Sequence, residues 1–167
     1  MTTSFPYLSA YPEKVQQQVQ HLLNQNLLNQ YLLTKYPVRH NVNNDKTLRE
    51  FVLAIKNRYL KKSDPVTKIT FDDKIHVINN ALGLHSYVTR VQGNKIKRKN
   101  EIRIGTVFKQ SCEKFLTMIV VHELAHIKEK DHNKAFYQLC QHMLPDYHQL
   151  EFDMRLYLIQ KELQKIS

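Results

Sequence analysis

The order of patterns along the chain predicts an α+β fold: helical periodicity first, short strands next, then helices to the C-terminus. Three observations carry this expectation. Apolar residues recur at helical spacing between Glu13 and Lys61. β-branched residues cluster in short alternating runs between Val66 and Phe108. From Glu113 onward the chain returns to helical patterning, interrupted at Pro145.

Each element has its own local reason. Val15, Val19, Leu22, Leu23, Leu27, Leu28 and Tyr31 predict one amphipathic helix from Glu13 to Leu33, despite a Gln- and Asn-rich composition. Pro37 and several Asn predict a loop from Tyr36 to Asp45. Leu48, Phe51, Val52, Ile55 and Tyr59 share one face of a helix from Lys46 to Lys61, stopped by Ser63-Asp64-Pro65. Ile69, Phe71, Ile75 and Val77 predict short strands around an Asp72-Asp73 turn. Ser86–Gln92 and Glu101–Phe108 read as strands, with Gly93 to Asn100 as the tip of a hairpin between them. Helices are then expected over Glu113–Lys128, His132–Met143 and Tyr147–Gln164.

Composition bounds the function. A chain of 167 residues with 42% hydrophobic content makes one domain, with a helical N-terminal segment over residues 1–65 and a core over residues 66–167. The net charge of +10 favours an anionic partner or substrate. Cys112 and Cys140 cannot build a disulfide framework and are expected reduced, with Cys140 packed in the core. The first residues lack the basic and apolar regions of a secretory signal, and the apolar run Phe115–Val121 is too short to span a bilayer. A cytoplasmic protein without membrane contact is the expectation.

The chemistry concentrates in Val120-Val121-His122-Glu123-Leu124-Ala125-His126. Residues four apart on a helix differ by about 40° in direction and about 6 Å in height. His122 and His126 can therefore reach one metal ion, while Glu123 lies where it can touch the attacking water without ligating. Two nitrogens on zinc beside a poised carboxylate form the working elements of a zinc hydrolase. The apolar half-helix Phe115–Val121 argues that the motif is buried, and buried His and Glu need partners that a metal supplies.

Catalytic zinc takes three protein ligands. His132 qualifies if the chain turns after Lys128, with Asp131 capping a new helix that His132 opens. His148 and Glu151 are the alternatives. His142, on the same helix as His132 and about 15 Å away from it, fits poorly if His132 ligates. His76 and His85 read as structural.

The stretch Val120 to Leu158, with H-E-L-A-H followed by His132 and Phe136, resembles the YgjP-like metal-dependent hydrolases, a bacterial family similar in pattern to SprT-like and WLM zinc proteases. The resemblance extends upstream through residues 73–77 and 81–85 to the basic hairpin. It implies a zincin-like fold, with a small, mostly antiparallel sheet packed on the H-E-x-x-H helix. It also implies His122, His126 and His132 as ligands of Zn2+ or another divalent metal, and Glu123 as the catalytic base. Broader relatives often carry a Trp-Gly-Ser type motif before the active helix. Here the matching stretch is Arg90-Val91-Gln92-Gly93, so a different substrate cleft is expected.

Two enzymatic readings follow. One is a metallopeptidase with a zinc-activated water and Glu123 as general base. The other, also described within the YgjP group, splits UTP to UMP and diphosphate. A third reading is a nucleic-acid-associated module with a structural metal; the intact Glu123 argues against it, because a structural site needs no base. Tyr147, His148 and Arg155 are candidates to contact the substrate or the transition state. Arg90, Lys95, Lys97, Arg98, Lys99 and Arg103 form a basic cluster expected to meet phosphates of a nucleotide or nucleic acid.

Overall fold

The computed structural model describes residues 6–75, 83–92 and 95–166. His76, Val77, Ala81, Leu82, Gly93 and Asn94 lie outside the described residues. Among the described residues there are six helices: α1 (Glu13–Asn24), α2 (Leu28–Lys35), α3 (Asp45–Tyr59), α4 (Glu113–Ala125), α5 (Lys134–Met143) and α6 (Tyr147–Ile166). Three strands, β1 (Val66–Asp72), β2 (Gly83–Gln92) and β3 (Lys95–Gly105), lie between α3 and α4. The helix–strand–helix order read from the sequence is therefore present.

The sheet needs a correction. Its order is β1-β3-β2, with β1 parallel to β3 and β2 antiparallel to it, so it is mixed rather than mostly antiparallel. The reason lies in β3. Ile102 and Ile104 are fully buried, and β1 lays Ile69 beside Ile102 and Phe71 beside Ile104. β3, which carries these two fully buried isoleucines, takes the centre, with a partner on either side. β1 ends at Asp72, at the expected Asp72-Asp73 turn, and the part of the next expected strand beyond residue 75 lies outside the described residues.

Several element boundaries differ from expectation, among them the start of β2, at Gly83 rather than Ser86. The Glu13–Leu33 helix is two helices, because Asn26 adopts φ 57, a left-handed conformation that Asn tolerates and a helix interior does not. The hairpin tip is shorter: Gln92 already pairs with Lys95, so Lys95, Lys97, Arg98 and Lys99 belong to β3. β3 ends at Gly105, and Thr106–Gln110 form a 3-10 turn. α5 starts at Lys134 because Asn133, not Asp131, caps it, its side chain accepting from the Phe136 N–H at 2.9 Å.

Local chemistry anchors the helices. Asn44 and Thr47 form a reciprocal capping box at the start of α3. The Asp45 carboxylate then accepts from the Phe71 N–H, tying α3 to β1. On α6, the buried Asp153 carboxylate accepts from Tyr31, Tyr36, Lys35 and Gln149, which fastens α2 and the chain after it to α6. Burial and then Asp153 hold the Tyr36 phenol above its ordinary pKa, so it remains a donor.

The central element is α4. Phe115, Leu116 and every residue from Met118 to Ala125 are buried. A helix apolar on all sides belongs in the core, and α4 packs against α3, α5, α6, β2 and β3. The H-E-x-x-H sequence occupies its C-terminal end. No helix among the described residues is long and apolar enough to cross a membrane.

Candidate metal centre

α4 ends at Ala125, with His126 as its C-cap, still in helical conformation. This is two to three residues earlier than the sequence suggests. The Ile127, Lys128 and Glu129 amides bond back to Leu124 and Ala125, turning the chain sharply. That turn lets His132 come back over the end of α4, which a continuous helix would forbid.

The three imidazoles converge. One ring nitrogen from each of His122, His126 and His132 lies within 4.8 Å of the others. Ring centroids are 4.9 Å (His122–His126), 5.0 Å (His122–His132) and 4.9 Å (His126–His132) apart, close to an equilateral triangle. His122 is buried, His126 half-buried and His132 exposed, so the cluster opens to solvent on the His132 side. Of the three candidates for third ligand, only His132 joins the group. Glu151 is engaged by Arg155 at 3.0 Å, and His148 is exposed beside Tyr137 and Tyr147.

The placement of protons shows what the donors can hold. The Glu129 carbonyl can only accept, so His126 carries its proton on Nδ1, 2.9 Å from that oxygen. Its Nε2 lone pair then points at His132 Nε2, 3.1 Å away. Nitrogens on one tetrahedral zinc sit about 3.3 Å apart, given zinc–nitrogen distances of about 2.0–2.1 Å. On His122, Nδ1 lies 2.7 Å from the Tyr147 hydroxyl. For Nε2 to offer its lone pair, Nδ1–H must donate to the Tyr147 oxygen. Burial, then His126, His132 and Arg155, keep His122 well below its ordinary pKa and hence neutral. Neutral imidazoles are what a metal requires. The residues present therefore fit a divalent metal of the zinc type.

Glu123 is 1% exposed, and burial pushes its carboxyl pKa up to about 8. A carboxyl in that environment binds a proton more readily than one at the surface, as a general base must.

Two residues play roles that their position in the sequence did not reveal. Phe136 is fully buried, with its ring 5.0, 4.6 and 4.9 Å from His122, His126 and His132. It backs all three rings at once. Asn133 capping places Phe136 on the first turn of α5, and packing turns its ring toward the end of α4. Tyr147, a candidate for substrate or transition-state contact, is fully buried, with its hydroxyl at hydrogen-bond distance from His122 Nδ1, the kind of partner that orients a ligand ring. Burial, with Glu151 next in weight, raises the Tyr147 phenol far above its ordinary pKa. Arg155 donates to the Tyr7 carbonyl and pairs with Glu151, so its guanidinium braces α6.

Among the basic cluster, Arg103 has carboxylate neighbours, Asp72 at 3.7 Å and Glu101 at 3.8 Å, which offset its charge. For Arg90, Lys95, Lys97, Arg98 and Lys99, as for His85, the backbone is described and the side chains lie outside the description.

Comparison with known proteins adds three findings. The model of a family described as YgjP-like, metallopeptidase domain, matches residues 15–156. The chain is 53% identical over 161 residues to an Escherichia coli (strain K12) protein named UTP pyrophosphatase, a match covering 96% of each. No solved structure matches the chain.

Proposed function

The chain belongs to the YgjP-like family, and on that premise we propose that it is a zinc-dependent nucleotide hydrolase that splits UTP to UMP and diphosphate. The observation that carries the hydrolase reading is the convergence of three imidazoles within 4.8 Å at the end of the helix that bears Glu123. The substrate follows from the 53% identical relative, matched almost end to end, and from a net charge of +10 that suits a triphosphate.

In this reading His122, His126 and His132 hold the metal. When bound, it supplies Lewis acidity that polarises a phosphoryl oxygen and makes water a stronger acid. Glu123 takes the proton from the water that attacks the α-phosphorus. The bond from that phosphorus to the bridging oxygen breaks, and diphosphate leaves with its electron pair. Glu123 then gives the proton up to the leaving group or to solvent. Tyr147 fixes the His122 ring, the Glu129 carbonyl fixes His126, and Phe136 keeps the three rings from collapsing inward.

A second reading, a zinc metallopeptidase on a zincin-like scaffold, is favoured by the family's description as a metallopeptidase domain and by the H-E-x-x-H spacing. The same Glu123 would then act on the water that attacks a peptide carbonyl. In either reading we take the helical segment of residues 1–65 and the core of residues 66–167 as one domain working in the cytoplasm. The Asp153 network and the shared apolar core support that unity. The hairpin residues Arg90, Lys95, Lys97, Arg98 and Lys99 are assigned to contact with phosphates, of the substrate or of a nucleic acid.

The test is a paired assay of zinc-loaded protein, with UTP and diphosphate detection in one arm and casein in the other. Diphosphate released from UTP with casein intact is the expected outcome. Cleaved casein with UTP untouched would replace this reading by the peptidase.

A further inference from the structure

At the other end of α4 and α6 from the histidines, a cavity of ≈ 280 Å³ opens between α2, the chain just after it and the last turns of α6. Cys112 at its edge and His122 are ten residues apart, so about 15 Å of helix separates the two places. Small-molecule sites range over about 300–1,000 Å³, so this cavity, just below that range, suits a small ligand.

Its lining has two kinds of chemistry. Tyr36 and Tyr157 supply aromatic rings, packed on the buried Phe115, which is centred 4.6 Å from Tyr36 and 5.4 Å from Tyr157. The two phenols are committed elsewhere, Tyr36 to Asp153 and Tyr157 to the Val107 carbonyl, so the rings are what they offer the cavity. Arg39 and Lys161 supply positive charge. Neither forms an ion pair with any described residue. Lys161 is half-buried, its ammonium 5.6 Å from the Tyr157 ring centre. Burial and the nearby Arg39 both lower its pKa. Two like charges facing one concave space without a carboxylate between them are an arrangement that an anion relieves. The Gln160 amide completes the wall with a neutral donor and acceptor.

We propose that this cavity is a second ligand site, separate from the histidine cluster, that takes a nucleoside monophosphate. Arg39 and Lys161 receive the phosphate. The flat base lies against the aromatic rings, where stacking tolerates any base, and the Gln160 amide meets its polar edge. The site stands independently of the metal, so it is tested on metal-free protein.

The experiment is titration calorimetry of the full chain, treated with chelator, against UMP, uridine and inorganic phosphate. UMP is expected to bind at least about tenfold more tightly than uridine or phosphate alone, since each supplies only half of the contacts. Arg39→Gln and Lys161→Gln should each weaken UMP by about tenfold, the size of one charge-assisted hydrogen bond. Lys161→Arg keeps the charge and should retain binding, which separates lost recognition from lost folding, and Arg39 is exposed and tolerates replacement. His126→Ala should leave UMP binding unchanged. The proposal is overturned if UMP shows no binding at about 1 mM, if both Gln variants bind it as wild type does, if phosphate alone binds equally well, or if His126→Ala abolishes binding.

Discussion

Glu123→Gln is expected to lower turnover by about 100- to 10,000-fold, the range that a lost general base costs, while leaving metal content unchanged. The substitution keeps size and shape at a position only 1% exposed, so the packing of α4 is undisturbed. What it removes is a group able to take a proton. The neighbouring histidines keep their orienting partners, Tyr147 for His122 and the Glu129 carbonyl for His126. The check is the initial rate of diphosphate release, with metal measured on the same preparation. Undiminished turnover would remove Glu123 from the mechanism.

Asp153→Ala is expected to destabilise the fold by about 3 kcal/mol, the low end for breaking a buried charged pair. The low end applies because Lys35 is 41% exposed and can return to water. Tyr31 and Tyr36 have less freedom, since both pack against the core and both donate to the lost carboxylate. At this chain length the loss corresponds to a melting temperature lower by roughly 6–12 °C. Asp153→Asn keeps an acceptor and should fall between. Thermal melts of the three proteins decide it, and a wild-type melt for Asp153→Ala would show that α2 is held to α6 by apolar packing alone.

The features of the fold set by local pattern were readable from the sequence. The helical stretch through Val120-Val121-His122-Glu123 follows from its apolar run, and its burial follows from having no polar face. Asn44 caps α3, whose start at Asp45 falls within one residue of the expected Lys46. The third histidine was also accessible, because geometry forbids His132 on a continuous helix and so demands a turn. That turn forms through bonds to Leu124 and Ala125, with Asn133 as cap.

What escaped was decided by partners distant in sequence. Nothing within residues 66–105 says that β1 pairs with β3 rather than β2. That choice belongs to burial of Ile102 and Ile104 between two neighbours. Asn26 breaks the first helix through one backbone conformation, which Leu spacing cannot reveal. Tyr147 reads as a polar residue at a helix start, and only the packing of α6 on α4 turns its hydroxyl toward His122. The sequence offers both a peptide and UTP as substrate for a different reason: three imidazoles and a carboxylate serve peptide and phosphoanhydride hydrolysis alike.

The most direct test of the account is the metal itself. Untagged wild-type protein and a His126→Ala variant, each offered zinc and then dialysed, are measured by elemental analysis. The account requires about one zinc per chain in the wild type and a near-complete loss in the variant, since two remaining imidazoles make a poor site. A wild-type protein that holds no metal, or a variant that holds as much as the wild type, would contradict it and reduce the histidine cluster to a feature of packing.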